Sequence, residues 1–378
     1  MPNDLSIFFT PKYKEILAEL RDLLSQNRIA FLFGAGSSRA AGLPLMHELT
    51  TQVMQGSSAT DESKKVFESI IANYSGSHQA TIEDYMSELV DYLSIADRRI
   101  SRGVDIAKIA IGNNEFKLTD LADSLAQIKI AIVESLRDKQ IEVSYHRQFI
   151  RAIHSSLQAG KGDRIVHYFV LNYDTLIEDA LGLEKIKYVD GFSGGATAWW
   201  DPTTFLDKNI RARIFKIHGS IDWRLLKSDS LPRRVREGLL PDTGLENILI
   251  YPAETKYKEA QRDPFAQLIQ QMRGTLRPIR GKEMVLAICG YGFSDAHINL
   301  EIETALAQSD GRLTIVAFTG EDEPQGVLAV WLANPVLADQ IKVYANKGFF
   351  HTENIVRSDT DLPWWKFEML ARLLGGER

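Results

Sequence analysis

Apolar residues at Tyr13, Ile16, Leu17, Leu20, Leu23 and Leu24 recur at helical spacing and predict a helix over 11–26. The run Ile29-Ala-Phe-Leu-Phe33 has no polar interruption, which predicts a parallel strand buried on both faces. Residues 45–54 read as the next helix. From about 60 to 160 the pattern is helical almost throughout. Thr81 and Asp84 stand three apart ahead of an apolar series, a capping-box signature. Leu121, Leu125, Ile128, Ile132 and Leu136 make one apolar stripe, and Tyr145, Phe149, Ile150 and Ile153 make another. Both stripes read as core. Gly76 and the polar segment 112–115 read as connections between helices.

Short apolar runs then alternate with helical stretches. Strands are expected at 165–171, 186–189, 213–217, 248–251, 284–289 and 313–318, with helices at 175–181, 264–273 and 297–308. That alternation predicts an α/β fold, a Rossmann-like parallel sheet with helices on both faces. The chain divides accordingly into a discontinuous α/β domain, 1–59 and 161–378, interrupted by a helical insertion domain at 60–160. Residues 191–195 read as a flexible loop and the triplet Arg233-Arg-Val-Arg236 as a solvated basic loop. Trp364-Trp365 begins a last amphipathic helix whose business is packing.

Composition narrows the class. A chain that is 44% hydrophobic and 25% charged is ordinary for a globular protein. A net charge of −6 argues against a surface built mainly to hold nucleic acid. No apolar run is long enough to span a bilayer, and the polar start Met1-Pro-Asn-Asp-Leu5 has no signal-peptide pattern. Cys289 is the single cysteine, so neither an internal disulfide nor a multi-cysteine zinc site can form. A reducing cytoplasm is the compartment this fits.

The candidate chemistry sits where the expected strands end, the edge at which open α/β sheets bind ligands. After the first strand come Gly34, Ala35, Gly36, Ser37 and Ser38, then Gly42 and Pro44. A strand that enters a glycine turn and then a helix offers backbone N–H groups and a positive helix end to a pyrophosphate. Glycine there keeps side chains from holding the phosphates away. Arg39 stands in place of the third glycine of the usual dinucleotide fingerprint, so the turn alone fits either a nucleotide or a tight ligand-free bend. Asn172 and Asp174 follow the 165–171 strand, Asp174 as a ligand contact or a helix cap. Lys216-Ile-His-Gly-Ser220 ends another strand, where His218 can titrate near neutral pH. The remaining histidines, His47, His78, His146, His154, His167, His297 and His351, read as bystanders. Cys289-Gly-Tyr-Gly-Phe-Ser-Asp295 opens a second glycine turn, with Cys289 a small buried hydrophobe. Ser294 and Asp295 are placed to hold ribose hydroxyls or to cap the next helix.

Taken together these stretches resemble the sirtuin superfamily. The matching residues are Gly34-Ala-Gly36 with Ser38, Gly42 and Pro44; Asn172 with Asp174; Lys216 with His218-Gly219; and the loop from Gly290 to Asp295. Their order agrees over roughly residues 15 to 355. Asn172-Tyr-Asp174, His218-Gly-Ser220 with Asp222-Trp223, and Gly290-Tyr291 to Asp295 look like the bacterial sirtuin-like NAD+ hydrolases of antiphage defence. Two departures separate the chain from the protein deacylases. One cysteine cannot build their zinc ribbon, and Leu43-Pro44-Leu45-Met46-His47 lacks the acid and arginine they carry after Pro44. The helical block stands in place of the small zinc domain.

What the resemblance implies is an NAD+ glycohydrolase without zinc that depletes cellular NAD+ in abortive infection. It implies a homo-oligomer partnered by a HerA-type hexameric ATPase that translocates DNA. Asn172 would position the ribose and the attacking water, His218 would be the general base, and Asp174 would orient the site. Gly34 to Ser38, Gly42, Pro44 and Gly219 would hold the dinucleotide with Gly290, Tyr291 and Gly292, while Ser294 and Asp295 take the adenosine ribose. A deacylase or ADP-ribosyltransferase, and a non-catalytic NAD or ADP-ribose sensor, are the alternatives.

Overall fold

The structure, a computed structural model, describes residues 5–55, 60–75, 80–137, 140–155, 164–226, 229–236, 245–250, 263–277, 279, 281–352 and 354–377. In chain order the elements begin with α1 (Pro11–Leu24), β1 (Ile29–Phe33), α2 (Ala35–Arg39), α3 (Met46–Gln55), α4 (Asp61–Asn73) and α5 (Ile82–Ile100). Next come β2 (Lys108–Ile111), β3 (Asn114–Lys117), α6 (Leu118–Arg137), α7 (Ser144–Ser155), β4 (Val166–Val170) and α8 (Leu176–Leu183). A strand-rich stretch follows: β5 (Tyr188–Val189), β6 (Phe192–Gly194), β7 (Thr197–Trp200), β8 (Ala212–Lys216), β9 (Gly219–Leu226), β10 (Asp229–Val235) and β11 (Leu245–Ile250). The remaining elements are α9 (Phe265–Leu276), β12 (Met284–Cys289), α10 (Ala296–Gln308), β13 (Leu313–Phe318), α11 (Gly326–Ala333), β14 (Ile341–Ala345), β15 (Gly348–His351), β16 (Asn354–Arg357) and α12 (Phe367–Leu374).

A nine-stranded sheet in the order β16-β15-β14-β13-β12-β1-β4-β8-β5 forms the centre, parallel except for β15 and β16. All five residues of β1 are 0% exposed, as its unbroken apolar run requires. Their side chains alternate between two cores, as the two-residue period of a strand dictates. Ile29, Phe31 and Phe33 join α1, α7 and α12 on one face, whereas Ala30 and Leu32 join α9, α10 and α11 on the other. The sheet is therefore the expected α/β arrangement.

The helical block has a core of its own. Val66, Ile70, Ile82, Leu89, Leu121, Ile132 and Leu136 pack there with Leu43, Leu49 and Val53, which precede residue 60. Phe149, Ile150 and Ile153 of α7 pack instead on the sheet, against Phe31 and Phe33. The capping box at Thr81 forms, with the Thr81 amide donating to Asp84 at 2.6 Å. One segment departs from the helical expectation, because residues 108–117 fold as the β2–β3 hairpin, turned at Gly112 with φ +58°. Gly76, Tyr251 and the expected boundary residues 59, 160 and 161 lie outside the described residues.

A second sheet, β11-β9-β10-β7-β6, is antiparallel and corrects three expectations. Residues 191–195 are not a flexible loop but the start of the β6–β7 hairpin, with Phe192 buried against Trp200 and Trp223. The basic triplet lies largely in β10, where Arg234 pairs with the buried Asp190 and Arg236 donates to the Tyr188 hydroxyl at 3.0 Å. The strand near 248 pairs with β9 in this sheet, not with the parallel one. Among the described residues no helix is long and apolar enough to cross a membrane.

Two buried histidines make the fold sensitive to acid. His146 and His154 are 1% and 5% exposed, and burial holds their imidazoles down, at about 4 and about 3 respectively. The unfolded chain takes up these protons below about pH 6.5. Between that pH and the folded values the unfolded state binds more protons, so stability falls as pH falls through the window. Thermal unfolding from pH 7.5 to 4.5 should show Tm falling below about 6.5, less steeply than the histidines alone would give because the buried Glu178 carboxyl, raised to about 7, works the other way, and a Tm that rises would contradict this account.

Candidate active site

The sheet's order reverses at β1, with β4 on one side and the later β12 on the other. Ligands of open α/β sheets bind at such a switch point, beyond the carboxyl ends of the strands. Here the loops after β1 and β12 are locked to each other. Gly34 N donates to Cys289 O at 3.1 Å, Gly36 N to Gly290 O at 2.9 Å, and Ser37 N back to Gly34 O at 2.9 Å. A Cβ on Gly290 would fall 2.1 Å from the Ser37 nitrogen, and Gly290 has φ +64°.

This leaves the expected pyrophosphate cradle with fewer amides to offer. Glycine is required at 34, 36 and 290 because two loops touch, and the amides of Gly34, Gly36 and Ser37 are spent within the protein. Gly292 differs, since an added Cβ meets no atom within 4 Å and the residue lines the cavity described below. Gly290→Ala should therefore cost on the order of 1–3 kcal/mol of stability. Gly292→Ala should leave Tm unchanged. Thermal unfolding of the pair checks both.

Asn172 is tied to the first loop by its amide nitrogen. Nδ2 donates to Gly34 O at 3.0 Å, Ser38 Oγ at 2.7 Å and Ser37 Oγ at 3.2 Å. Ser38 Oγ passes the chain on, donating to Asp174 Oδ2 at 2.6 Å, while Asp174 Oδ1 accepts from Leu176 N at 3.1 Å. Asp174, one residue ahead of the N-cap Thr175, thus holds the first amide of α8 and anchors the loop. Beneath it Lys216 Nζ donates to the Asp174 carbonyl and stands 3.7 Å from Glu178 Oε1. Burial pushes the Glu178 carboxyl up to about 7 despite the Lys216 ammonium beside it.

His218, at the end of β8, is buried with Nε2 3.2 Å from Asp295 Oδ2. Asp295 Oδ1 accepts from His297 N at 3.0 Å and Ile298 N at 3.3 Å, so this carboxylate caps α10 and faces the histidine at once. A carboxylate in that position orients the imidazole and favours a proton on Nε2. Its second oxygen faces His218, and of the two roles expected for Asp295 the helix cap is the one formed. Tyr291 steadies the same loop, its hydroxyl 3.1 Å from Asp295 O and 3.0 Å from Asn299 Oδ1. Cys289 is buried, and burial pushes its thiol up, as a core residue's would be.

These groups open on a cavity of about 2440 Å³, well above the 300–1,000 Å³ of drug-sized sites. Gly34, Ala35, Gly36, Ser38, Pro44, Asn172, Asp174, His218, Gly290, Tyr291, Gly292, Ser294 and Asp295 line it. Ser37, Gly42 and Gly219 are not among its lining residues. Ser37 Oγ donates to Gly34 O at 2.8 Å, while Gly42 and Gly219 serve turns at φ +88° and +87°. The sequence reading missed Thr319 and Gly320 on the cavity wall, although the strand-end rule that found Asn172 applies equally after β13. It also missed Trp365, which lines the cavity and donates to Asn346 Oδ1 at 3.0 Å, whereas Trp364 is wholly core. Glu83 and Tyr173, joined by a hydrogen bond from the tyrosine hydroxyl, carried no local signal.

Residues 166–337 match the SIR2-like domain. The matched stretch runs from β4 to just past α11 and takes in Asn172, His218 and the loop at 290–295. A mutant Sir2 homologue in complex with ADP-ribose is 10% identical over 94% of each chain, with a TM-score of 0.38. A second structure, described for the mechanism and regulation of Sir2 enzymes, is 9% identical over 96% of this chain and 97% of its own, at 0.40. Among curated proteins nothing matches. Among the described residues no group of three or more His, Cys, Asp or Glu side chains is arranged to hold a metal ion.

Proposed function

We propose that this chain is an NAD+ glycohydrolase, cleaving the bond between the ribose C1′ and nicotinamide to give nicotinamide and ADP-ribose. The observation that carries the reading is the convergence of Asn172, Ser38 and Asp174 with the His218–Asp295 pair on one large cavity at the sheet's switch point. The glycosidic bond breaks with its electron pair passing to the ring nitrogen, so the cationic nicotinamide leaves neutral and needs no proton. The ribose passes through an oxocarbenium-like state. Water then adds its oxygen to C1′ and gives its proton to His218, held by Asp295. Asn172, fixed at its amide nitrogen by the loop, positions the ribose and the water. Ser294, exposed at the cavity, takes the adenosine-side ribose, and the pyrophosphate lies along the 290–295 loop where Gly292 leaves room.

The family resemblance of the motifs extends the proposal to abortive infection in antiphage defence, in a cytoplasmic homo-oligomer that works with a HerA-type ATPase. The helical block at 60–160 stands, in this reading, where the deacylases carry zinc. The test is nicotinamide release from NAD+ by the purified chain, alone and with its ATPase partner. Release establishes the hydrolase. Tight NAD+ binding with no release under either condition would overturn it in favour of a sensor, and release only with an acetylated peptide would make it a deacylase.

A further inference from the structure

The helical block contributes a charge to this cavity that the proposed chemistry has not used. Glu83 sits in the first turn of α5, and its carboxylate accepts the hydroxyl of Tyr173, the residue next to Asn172. Glu83, Tyr173, Tyr291 and Asp295 all line the cavity. Tyr173 meets Glu83, and the Tyr291 hydroxyl meets the Asp295 carbonyl; burial first, and then the charges of Glu83 and Asp295, push both phenols up. The two anions have different duties. Asp295 is committed to His218 and to the cap of α10, while Asp84, the next acid on α5, is committed to the cap at Thr81. Among the described residues no lysine or arginine pairs with Glu83.

An acidic side chain bonded to a buried tyrosine, facing a cavity that a second tyrosine also lines and unpaired with a base among the described residues, is suited to a flat organic cation. NAD+ carries one: its nicotinamide ring is positive until the glycosidic bond breaks and neutral afterwards. We propose that Glu83, brought over the strand ends by the helical insertion, is the anion that selects the cationic nicotinamide ring, an assignment that rests on the NAD+ reading above. It makes the insertion part of the substrate site. It also favours substrate over the neutral product, which helps nicotinamide leave.

The test is binding, measured by calorimetry on the His218→Ala chain so that NAD+ survives the titration. NAD+ is compared with NADH, whose ring is neutral, and with ADP-ribose, which has no ring. The parent chain should prefer NAD+ to NADH, and Glu83→Gln should remove that preference by weakening NAD+ about tenfold while leaving ADP-ribose unchanged. Glutamine still accepts the Tyr173 hydroxyl, so the variant removes charge and keeps the bond. Tyr173→Phe does the reverse and should keep the preference. Equal binding of NAD+ and NADH by the parent overturns the proposal alone, as does a preference that survives Glu83→Gln or is lost in Tyr173→Phe. Failure of all three ligands to bind overturns the NAD+ reading and this proposal with it.

Discussion

Lys216→Ala is expected to lose about 3–5 kcal/mol of folding stability, the penalty for removing one partner of a buried ion pair. Lys216 is 1% exposed, and its ammonium serves both the Asp174 carbonyl and Glu178. Without it the carbonyl loses its donor and Glu178 its counter-charge. The loss should grow with pH. Glu178 has a folded value near 7, above an unfolded value of about 4.3, so its contribution is fully present below the unfolded value and is lost as pH rises through the folded one. Removing Lys216 raises the folded value further, and the deficit against the parent should be larger at pH 8 than at pH 6. Urea unfolding at the two pH values measures it. Lys216→Met with Glu178→Leu should recover much of the stability, since apolar replacement of a whole buried pair is often neutral. It should not recover nicotinamide release, because the turn bearing Asn172 still lacks its anchor. Recovery of both would sink the positioning role given to Lys216.

His218→Ala should reduce nicotinamide release by about 10²–10⁴-fold, the usual contribution of a positioned general base. Tm should change little by comparison. Asp295→Asn separates the two duties of that carboxylate. Asparagine can still accept the amides of His297 and Ile298, so the cap on α10 is retained, whereas the charge facing Nε2 is lost. Its expected signature is a reduced kcat with thermal stability near that of the parent. Asn172→Ala should also lose release, since it removes the amide that binds Ser38 and Gly34. Full turnover in both His218→Ala and Asn172→Ala would end the catalytic assignment.

The parallel sheet was legible in the residues because a strand covered on both faces must be apolar throughout, and Ile29–Phe33 or Met284–Cys289 can hardly be anything else. That several candidate residues would meet at one cavity was legible for a related reason. Strands of such a sheet end at one edge, so Asn172, His218 and Gly290 could be gathered from strand ends alone. The antiparallel sheet was not legible. Its strands run from three to eight residues, β10 carries Pro232, and they are held by partners such as Arg234 with Asp190 that periodicity does not report. The stripe of α7 told which face is apolar but not which of two cores receives it.

Local pattern by itself determined the strands and helices of the parallel α/β layer, the α/β class and the candidates at the strand ends, since each depends only on neighbours within a few turns of chain. Tertiary structure alone decided that Gly34 and Gly290 exist to let two loops touch, that Asp295 faces His218, and that Glu83 meets Tyr173. Each of these joins residues far apart in the chain, where spacing carries no information and only the packing of the folded sheet and insertion selects the partner.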